Sequence, residues 1–234
     1  GKVVVAAPDR EQSAVGTAVT LRQPLSSIHV KAPVAGIETY SIEGTPADSV
    51  ILALEMLAKD KIDLVVSGIN EGPNLGDDVF ISGTVGAALQ GYFHGLPAIA
   101  LSVAAFEEIC FEPAAKLANL LVAKITTNSL PKEFLLNVNL PNLPADKIEG
   151  VEITEIAQRN YNDLIKKGHD GRRGYYWIVR GDPRWNTKVG TDKWALDKRR
   201  ISITVLRSNS SIASGISALE ELCPVLFQEL LIAK

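Results

Sequence analysis

The chain has 234 residues, of which 46% are hydrophobic and 22% are charged, and its formal net charge is -3 at pH 7. This hydrophobic share excludes disordered and collagen-like chains, and the near balance of charges gives no reason to expect nucleic-acid binding. No apolar run approaches the roughly 18 residues that a membrane span needs. The two cysteines, Cys110 and Cys223, argue against a disulfide scaffold and favour a reducing, cytoplasmic location. At about 150 residues per domain, we expect one large domain with an appendage.

The first half of the chain alternates between short apolar runs and amphipathic patterns. Continuous apolar runs predict strands that are buried on both faces, as in a parallel sheet covered by helices. These runs span residues 3–7, 64–67, 98–103 and 135–138. Thr45 as N-cap and Pro46 at the first helical position begin one helix, and further helices are predicted over 83–94 and 113–125. This alternation predicts an α/β fold with a mostly parallel sheet.

The second half has a different character. Residues 151–205 carry all three tryptophans, many arginines and extended runs at 175–179 and 201–206, which predict a β-rich protrusion. Residues 218–233 predict a terminal helix with Pro224 interrupting it near its start. We therefore divide the chain into a body over 1–150 and a protrusion with a tail over 151–234.

A glycine-rich loop at 68–78 follows the second predicted strand and leads into Ser82-Gly83-Thr84 at the start of the next helix. In open α/β sheets, ligands bind beyond the carboxyl ends of the strands. The free N–H groups and the dipole of a helix N-terminus attract anions, and phosphate suits such a site. The alternative is that Ser82 or Thr84 only caps the helix.

Other polar residues in these loops have two interpretations each. Asn70 is a candidate ligand for a hard cation or a phosphate, or it supports its own turn. The adjacent Asp77 and Asp78 either bind a metal or are solvated, and solvation is the more common case. Ser13, in the loop after the first strand, is a ligand or a turn residue. The motifs G-x-S-x-G, G-x-G-x-x-G and Walker A are absent, which leaves phosphate chemistry assisted by a hard metal.

Taken together, the loop sequences resemble the successive motifs of the SurE family, the stationary-phase survival proteins that are metal-dependent 5′-nucleotidases. The resemblance spans the chain in order and is most specific in the run S-G-I-N-x-G-P-N-L-G-D-D. The principal segments are Ala7-Pro8-Asp9-Arg10-Glu11-Gln12-Ser13-Ala14, Gly44-Thr45-Pro46-Ala47-Asp48, residues 66–78 and Ser82-Gly83-Thr84-Val85, followed by residues 95–100, Tyr175-Tyr176-Trp177, Thr191-Asp192 and residues 201–204.

This resemblance implies a Rossmann-like body, a protruding β-rich segment and a C-terminal tail exchanged between subunits of a homodimer or homotetramer. It implies hydrolysis of nucleoside 5′- and 3′-monophosphates, and of polyphosphate in some members, with Mg²⁺ or Mn²⁺. Among the family's metal ligands, the serine corresponds to Ser13 and the asparagine to Asn70. Asn74 and Ser82, Gly83 and Thr84 correspond to the phosphate-facing part of the site.

The family's pair of metal-binding aspartates, in an Asn-Asp-Asp-Gly motif, has no counterpart in this chain, so no catalytic residue is identifiable. Asp77 and Asp78 are not substitutes, since the family has acids in that loop in addition. We expect the sequence to lack one strand–helix unit before residue 1, and the chain alone to bind metal weakly and turn over slowly.

Two other functions are kept as alternatives. A chain without the aspartates would be a nucleotide- or phosphate-binding protein without hydrolysis, because the helix-terminal anion site remains. The basic and aromatic segment 159–185 could bind single-stranded nucleic acid. Since that segment also contains Asp163, Asp170 and Asp182, we favour an oligomer interface and a substrate entrance there.

Overall fold

The computed structural model describes residues 1–32, 34–127, 134–160, 163–181, 184–208 and 212–232. Twelve strands and five α-helices are found in these ranges. The strands are β1 (Val4–Pro8), β2 (Ser27–Val30), β3 (Glu38–Ile42), β4 (Val65–Glu71), β5 (Ala98–Ala104), β6 (Phe134–Pro141), β7 (Val151–Thr154), β8 (Gln158–Asn160), β9 (Asp163–His169), β10 (Gly174–Arg180), β11 (Arg184–Asn186) and β12 (Ile201–Ser208). The helices are α1 (Pro46–Leu52), α2 (Gly83–Phe93), α3 (Glu112–Thr126), α4 (Asp192–Asp197) and α5 (Ile212–Ile232).

A five-stranded sheet in the order β4-β5-β6-β12-β7 forms the centre of the body. Three of its four strand pairs are parallel, and only β12 runs antiparallel to β6. The prediction of an α/β fold with a mostly parallel sheet is confirmed. The boundary at residue 150 cuts through this sheet, because β7 and β12 lie beyond that boundary and are joined to it through β6.

A separate three-stranded sheet, in the order β1-β3-β2, contains the first strand. The predicted strand at 3–7 is present, but the expectation that it is buried on both faces is wrong, since Val3 and Val5 are exposed. The reason is its place at the edge of this sheet, where in the described residues it pairs with β3 alone. Helix α1 packs against both β1 and α2, and so bridges the two sheets.

Two hydrophobic clusters hold helices against the faces of the central sheet. On one face, Leu117 of α3 and Leu226 of α5 pack with Leu136 and Ile203 of the sheet. On the other face, α2 packs through Val85 and Ala88 against Ala98, Ala100 and Leu135. These positions are small or β-branched on α2 and β5, which lets the helix approach the sheet closely. The N-terminus of α2 meets the end of β4, where Thr84 bonds Asn70.

The start of α1 confirms the local capping signals. The Thr45 hydroxyl accepts a hydrogen bond from the backbone N–H of Asp48, and the Asp48 carboxylate accepts one from the backbone N–H of Thr45. Pro46 occupies the first turn, where its missing N–H costs nothing. Reciprocal caps of this kind are decided by neighbouring residues and can be predicted from sequence.

The protrusion consists of two small antiparallel pairs, β8 with β11 and β9 with β10. The hairpin of β9 and β10 exposes large apolar side chains on both of its faces, namely Leu164, Ile165, Tyr175, Tyr176, Trp177 and Ile178. The β-rich character predicted for this region is confirmed, including the run at 175–179.

Helix α5 begins at Ile212, six residues before the predicted start, so Pro224 lies inside the helix rather than near its beginning. The predicted end at Ala233 lies outside the described residues. In the single chain, α5 packs on β7 and α3 of its own body. Among the described residues, no helix has the length and hydropathy needed to cross a membrane.

Candidate functional site

The last residues of β4 bring Asn70 to the carboxyl edge of the central sheet, where it pairs with Ser102 of β5. The side-chain amide of Asn70 donates hydrogen bonds to the carbonyls of Glu71, at 3.1 Å, and Gly72, at 2.8 Å. Asn70 therefore does support its own turn. Its side-chain oxygen accepts a hydrogen bond from the Thr84 hydroxyl at 3.1 Å, which joins it to the start of α2.

The N-terminus of α2 is capped and still has free donors. The Ser82 hydroxyl accepts a hydrogen bond from the backbone N–H of Val85 at 3.2 Å, so the capping interpretation is confirmed for Ser82. In the described part of the chain, the backbone N–H groups of Gly83 and Thr84 donate no hydrogen bond. Two free amides at the positive end of a helix dipole can bind an anionic oxygen.

The segment that contains Ser13 packs directly on this helix. The N–H of Gly16 donates to the carbonyl of Ile81 at 2.8 Å. A Cβ on Gly86 would lie 2.3 Å from the Gly16 carbonyl oxygen, so only glycine allows this approach. Ser13 is an exposed turn residue three positions before Gly16. The structure thus brings the segment of Ser13 to the same helix end as Thr84 and Asn70.

Asn74 is buried and clamped by side chains of β6. Its backbone N–H donates to the side-chain oxygen of Asn139 at 2.8 Å, and its carbonyl accepts from the side-chain amides of Asn137, at 2.8 Å, and Asn139, at 3.1 Å. Its own side-chain amide donates to the Ser102 hydroxyl at 2.7 Å. The side-chain amide of Asn74 has two N–H groups, and one of them is already donated to Ser102. A phosphate role for Asn74 would therefore use the second N–H group.

The acidic pair of the loop binds an arginine. Asp78 forms an ion pair with Arg159, and Asp77 accepts a hydrogen bond from the Arg159 backbone N–H at 3.3 Å. The Arg159 guanidinium also lies over the ring of Trp185, 5.2 Å from its centroid. The side chain of Asp78 is only 17% exposed, so the expectation that these acids are solvated is wrong. The pair attaches the loop to the protrusion.

Asp192 also connects the loop after β4 to the segment that leads into β8. Its fully buried carboxylate accepts hydrogen bonds from the backbone N–H groups of Gly76, at 2.8 Å, Ala157, at 3.0 Å, and Lys193, at 2.6 Å. Burial raises the pKa of Asp192, although these three donors act in the opposite direction. A buried acceptor with three backbone donors fixes the path of the loop after Asn74.

Comparison with known proteins identifies the family. The family model described as "Survival protein SurE" matches residues 1–163. This chain belongs to the SurE family. Relatives named 5′-nucleotidase SurE include one from Dehalococcoides mccartyi, 47% identical over 208 residues, which cover 88% of this chain and 78% of the relative. Another, from Legionella pneumophila, is 44% identical over 207 residues, covering 88% of this chain and 80% of the relative.

A solved structure has the same fold. The crystal structure of a SurE protein from Aquifex aeolicus superposes with a TM-score of 0.71 at 37% identity, covering 94% of this chain and 87% of that one. The prediction of SurE membership, made from the loop motifs, is confirmed.

The metal ligands expected for a SurE protein are only partly represented in the described residues. Ser13 and Asn70 offer two neutral oxygens, and the Asn70 oxygen already accepts from Thr84. No group of three or more His, Cys, Asp or Glu that could hold a metal lies within the described ranges. Because Mg²⁺ and Mn²⁺ prefer sites with carboxylate oxygens, the described donor set does not fit either ion on its own.

The sequence interpretation missed the two asparagines of β6 that hold the loop at 68–78. Asn137 and Asn139 lie on one face of a strand that was predicted from its apolar run alone. Two amides spaced two residues apart in an otherwise apolar strand were the available signal, since period-two spacing places both on the same face. Asp192 and Arg159 were noted only as parts of a motif and a basic segment, and their contacts appear only in three dimensions.

Proposed function

We propose that this protein is a 5′-nucleotidase that hydrolyses nucleoside 5′-monophosphates to nucleoside and phosphate. The hydrogen bond between Thr84 and Asn70, beside the free amides of Gly83 and Thr84, is the observation that carries the proposal. The name 5′-nucleotidase SurE, shared by relatives at 44% to 47% identity, supports the same activity. By the same resemblance, the proposal extends to 3′-monophosphates and polyphosphate as further substrates.

The chain's own groups suit the charge changes of this reaction. Water attacks phosphorus, the bond from phosphorus to the ribose oxygen breaks, and negative charge grows on the phosphate and leaving oxygens. The amides of Gly83 and Thr84 are donors that can stabilise this charge without rearranging. The Thr84 hydroxyl proton is already donated to Asn70, so this hydroxyl positions Asn70 beside them. Asn74 is held in place by β6 and adds an oriented amide nearby.

A requirement for Mg²⁺ or Mn²⁺ is part of this proposal on the strength of the family resemblance alone. Ser13 and Asn70 are the proposed neutral ligands, and Asn74, Ser82, Gly83 and Thr84 the proposed phosphate-binding residues. The test is phosphate release from AMP and from p-nitrophenyl phosphate, with added Mn²⁺ and with EDTA. Release that EDTA stops supports both parts, whereas release that EDTA leaves unchanged rejects the metal requirement.

A second candidate function is nucleotide or phosphate binding without hydrolysis. The absence of a carboxylate cluster from the described part of the candidate site favours it, because an anion site needs no metal. Titration calorimetry with AMP in EDTA, together with phosphate release from AMP in Mn²⁺, separates the two functions. Binding in EDTA without any release in Mn²⁺ selects the second function, and the absence of both binding and release rejects both.

Assembly into a homodimer or homotetramer is also proposed. The large exposed apolar side chains on the hairpin of β9 and β10 support an interface, since exposed apolar surface on this scale often marks a site of protein–protein contact. Exchange of the C-terminal tail would replace the packing of α5 on its own body with the same packing from a partner. Light scattering should give at least a dimer, and Trp177→Glu should reduce its mass. Salt-dependent RNA retention on filters, lost in Arg172→Ala/Arg173→Ala, would instead favour the nucleic-acid alternative.

The location proposed is cytoplasmic. Both cysteines are unpaired in the structure, which is the usual state in a reducing compartment.

A further inference from the structure

An exposed phenylalanine stands beside the candidate site. Phe106 lies in the loop that follows β5, and 76% of its surface is exposed. Its ring rests against the backbone of Gly72: a Cβ on Gly72 would lie 2.3 Å from the Phe106 Cε1 atom and 2.8 Å from Cζ. Gly72 has a φ of +95°, a conformation that side chains other than hydrogen rarely adopt. The absence of a side chain at Gly72 thus leaves room for the ring.

Hydrogen bonds connect Gly72 to the residues proposed to bind metal and phosphate. The Gly72 N–H donates to the Val103 carbonyl at 3.0 Å, which ties the loop of Asn70 to the strand that leads to Phe106. The Gly72 carbonyl accepts from the Asn70 side chain at 2.8 Å, and Asn70 in turn accepts from Thr84. The ring therefore contacts Gly72, which is itself hydrogen-bonded to Asn70, so it lies at the rim of the candidate site.

The charges near the ring distinguish the two ends of a nucleotide. Glu107 and Glu108 follow Phe106 directly, and both are exposed. The two carboxylates disfavour a phosphate beside Phe106, whereas the free amides at the N-terminus of α2 favour a phosphate at that helix end. A neutral aromatic base has no such penalty and can stack on an exposed phenyl ring.

We propose that Phe106 is the nucleobase platform of the site and that it gives this protein its preference for nucleotides over other phosphomonoesters. The proposal rests on the proposed function, since it orients a nucleoside monophosphate with its phosphate at Thr84 and its base over Phe106. Stacking is tolerant of base identity, because every base has a π-face. Phe106 therefore selects for the presence of a base and not for one particular base.

The test compares ligands with and without a base on the intact chain. Titration calorimetry in EDTA measures the dissociation constants of AMP and of ribose 5-phosphate. The variants are Phe106→Ala, Phe106→Trp and the control Phe93→Ala. Phe93 is a suitable control because it is 62% exposed and ends α2, the helix whose opposite end forms the candidate site.

We expect the wild type to bind AMP more tightly than ribose 5-phosphate, and Phe106→Ala to weaken AMP binding about 5- to 150-fold with little change for ribose 5-phosphate. Phe106→Trp should retain the preference, and Phe93→Ala should match the wild type. Equal affinity of the wild type for the two ligands, or an equal loss for both in Phe106→Ala, overturns this inference alone. Failure of both ligands to bind the wild type in EDTA overturns this inference, and if phosphate release from AMP in Mn²⁺ is absent too, the proposed function is overturned as well.

Discussion

Thr84 donates a hydrogen bond from its hydroxyl to the side-chain oxygen of Asn70, across 3.1 Å. Thr84 is the second residue of helix α2 and Asn70 is the last but one of strand β4, so this contact joins the proposed phosphate-binding and metal-binding residues into one site. It also orients the Asn70 amide, whose nitrogen is directed to the carbonyls of Glu71 and Gly72.

Replacing Thr84 by valine removes this hydroxyl and keeps the shape of the side chain. We expect Thr84→Val to weaken AMP binding about 2- to 10-fold, because Asn70 loses the hydrogen bond that holds it at the start of α2, and such a bond contributes about 0.5–1.5 kcal/mol. Thr84→Ser should restore most of the affinity. Calorimetry provides the measurement, and Thr126→Val is the control, since the Thr126 hydroxyl donates to the Ala123 carbonyl at the end of α3. Equal effects at positions 84 and 126 would contradict the assignment.

Asn139 bonds both the N–H and the carbonyl of Asn74. Asn139→Ala should lower the free energy of unfolding by about 1–3 kcal/mol, because the buried N–H of Asn74 loses its acceptor. It should also weaken AMP binding, because the loop is no longer held. Urea unfolding and calorimetry measure the two effects.

The control for Asn139 is Thr154→Val. Thr154 shares hydrogen bonds of 2.8 Å with Ser202 and Thr204 inside the same sheet, and it has no hydrogen bond to the loop. We expect a similar loss of stability with unchanged AMP affinity. If both variants lost affinity in proportion to stability, Asn139 would have only a general structural role.

The ion pair of Asp78 and Arg159 attaches the loop to the protrusion, and both side chains are largely buried. A double-mutant cycle with Asp78→Asn and Arg159→Gln should give a coupling energy of about 1–3 kcal/mol in the free energy of unfolding. The matched cycle is Lys2→Gln with Asp60→Asn, an exposed pair for which we expect almost no coupling. A negligible coupling at Asp78 and Arg159 would show that this ion pair does not attach the loop to the protrusion.

Asp48 should contribute to acid sensitivity. Burial acts to raise the pKa of Asp48, but hydrogen bonds from Thr20 and Thr45 outweigh it and lower the pKa below its ordinary value of 3.8. A lowered pKa in the folded state stabilises the protein above the unfolded pKa, and this contribution is lost as the pH falls through the folded value.

We therefore expect Asp48→Asn to reduce the loss of stability between pH 5 and about pH 3, as measured by urea unfolding at each pH. Asp192 has the opposite sign, because its raised pKa makes stability fall as the pH rises from 3.8 to its folded value. An Asp48→Asn variant with the acid dependence of the wild type would refute the role given to this carboxylate.

The amino-acid sequence by itself determined the elements whose causes are local. Thr45 and Pro46 start α1 because capping involves residues within one turn, and the apolar runs of β5 and β6 indicate buried strands because nearly all of their side chains avoid water. The loop motifs were sufficient to predict the family, since they are contiguous in sequence.

Only the tertiary structure decided which polar side chains meet. Asn74 and Asn139 are 65 positions apart, and strand alignment in the sheet brings them together. Asp78 in the loop after β4 meets Arg159 of β8, and the Phe106 ring in the loop after β5 meets Gly72, because the fold brings together segments that are far apart in sequence. Hydrogen bonds and ring contacts depend on angles and distances of a few ångströms, and residue spacing along the chain contains no such information.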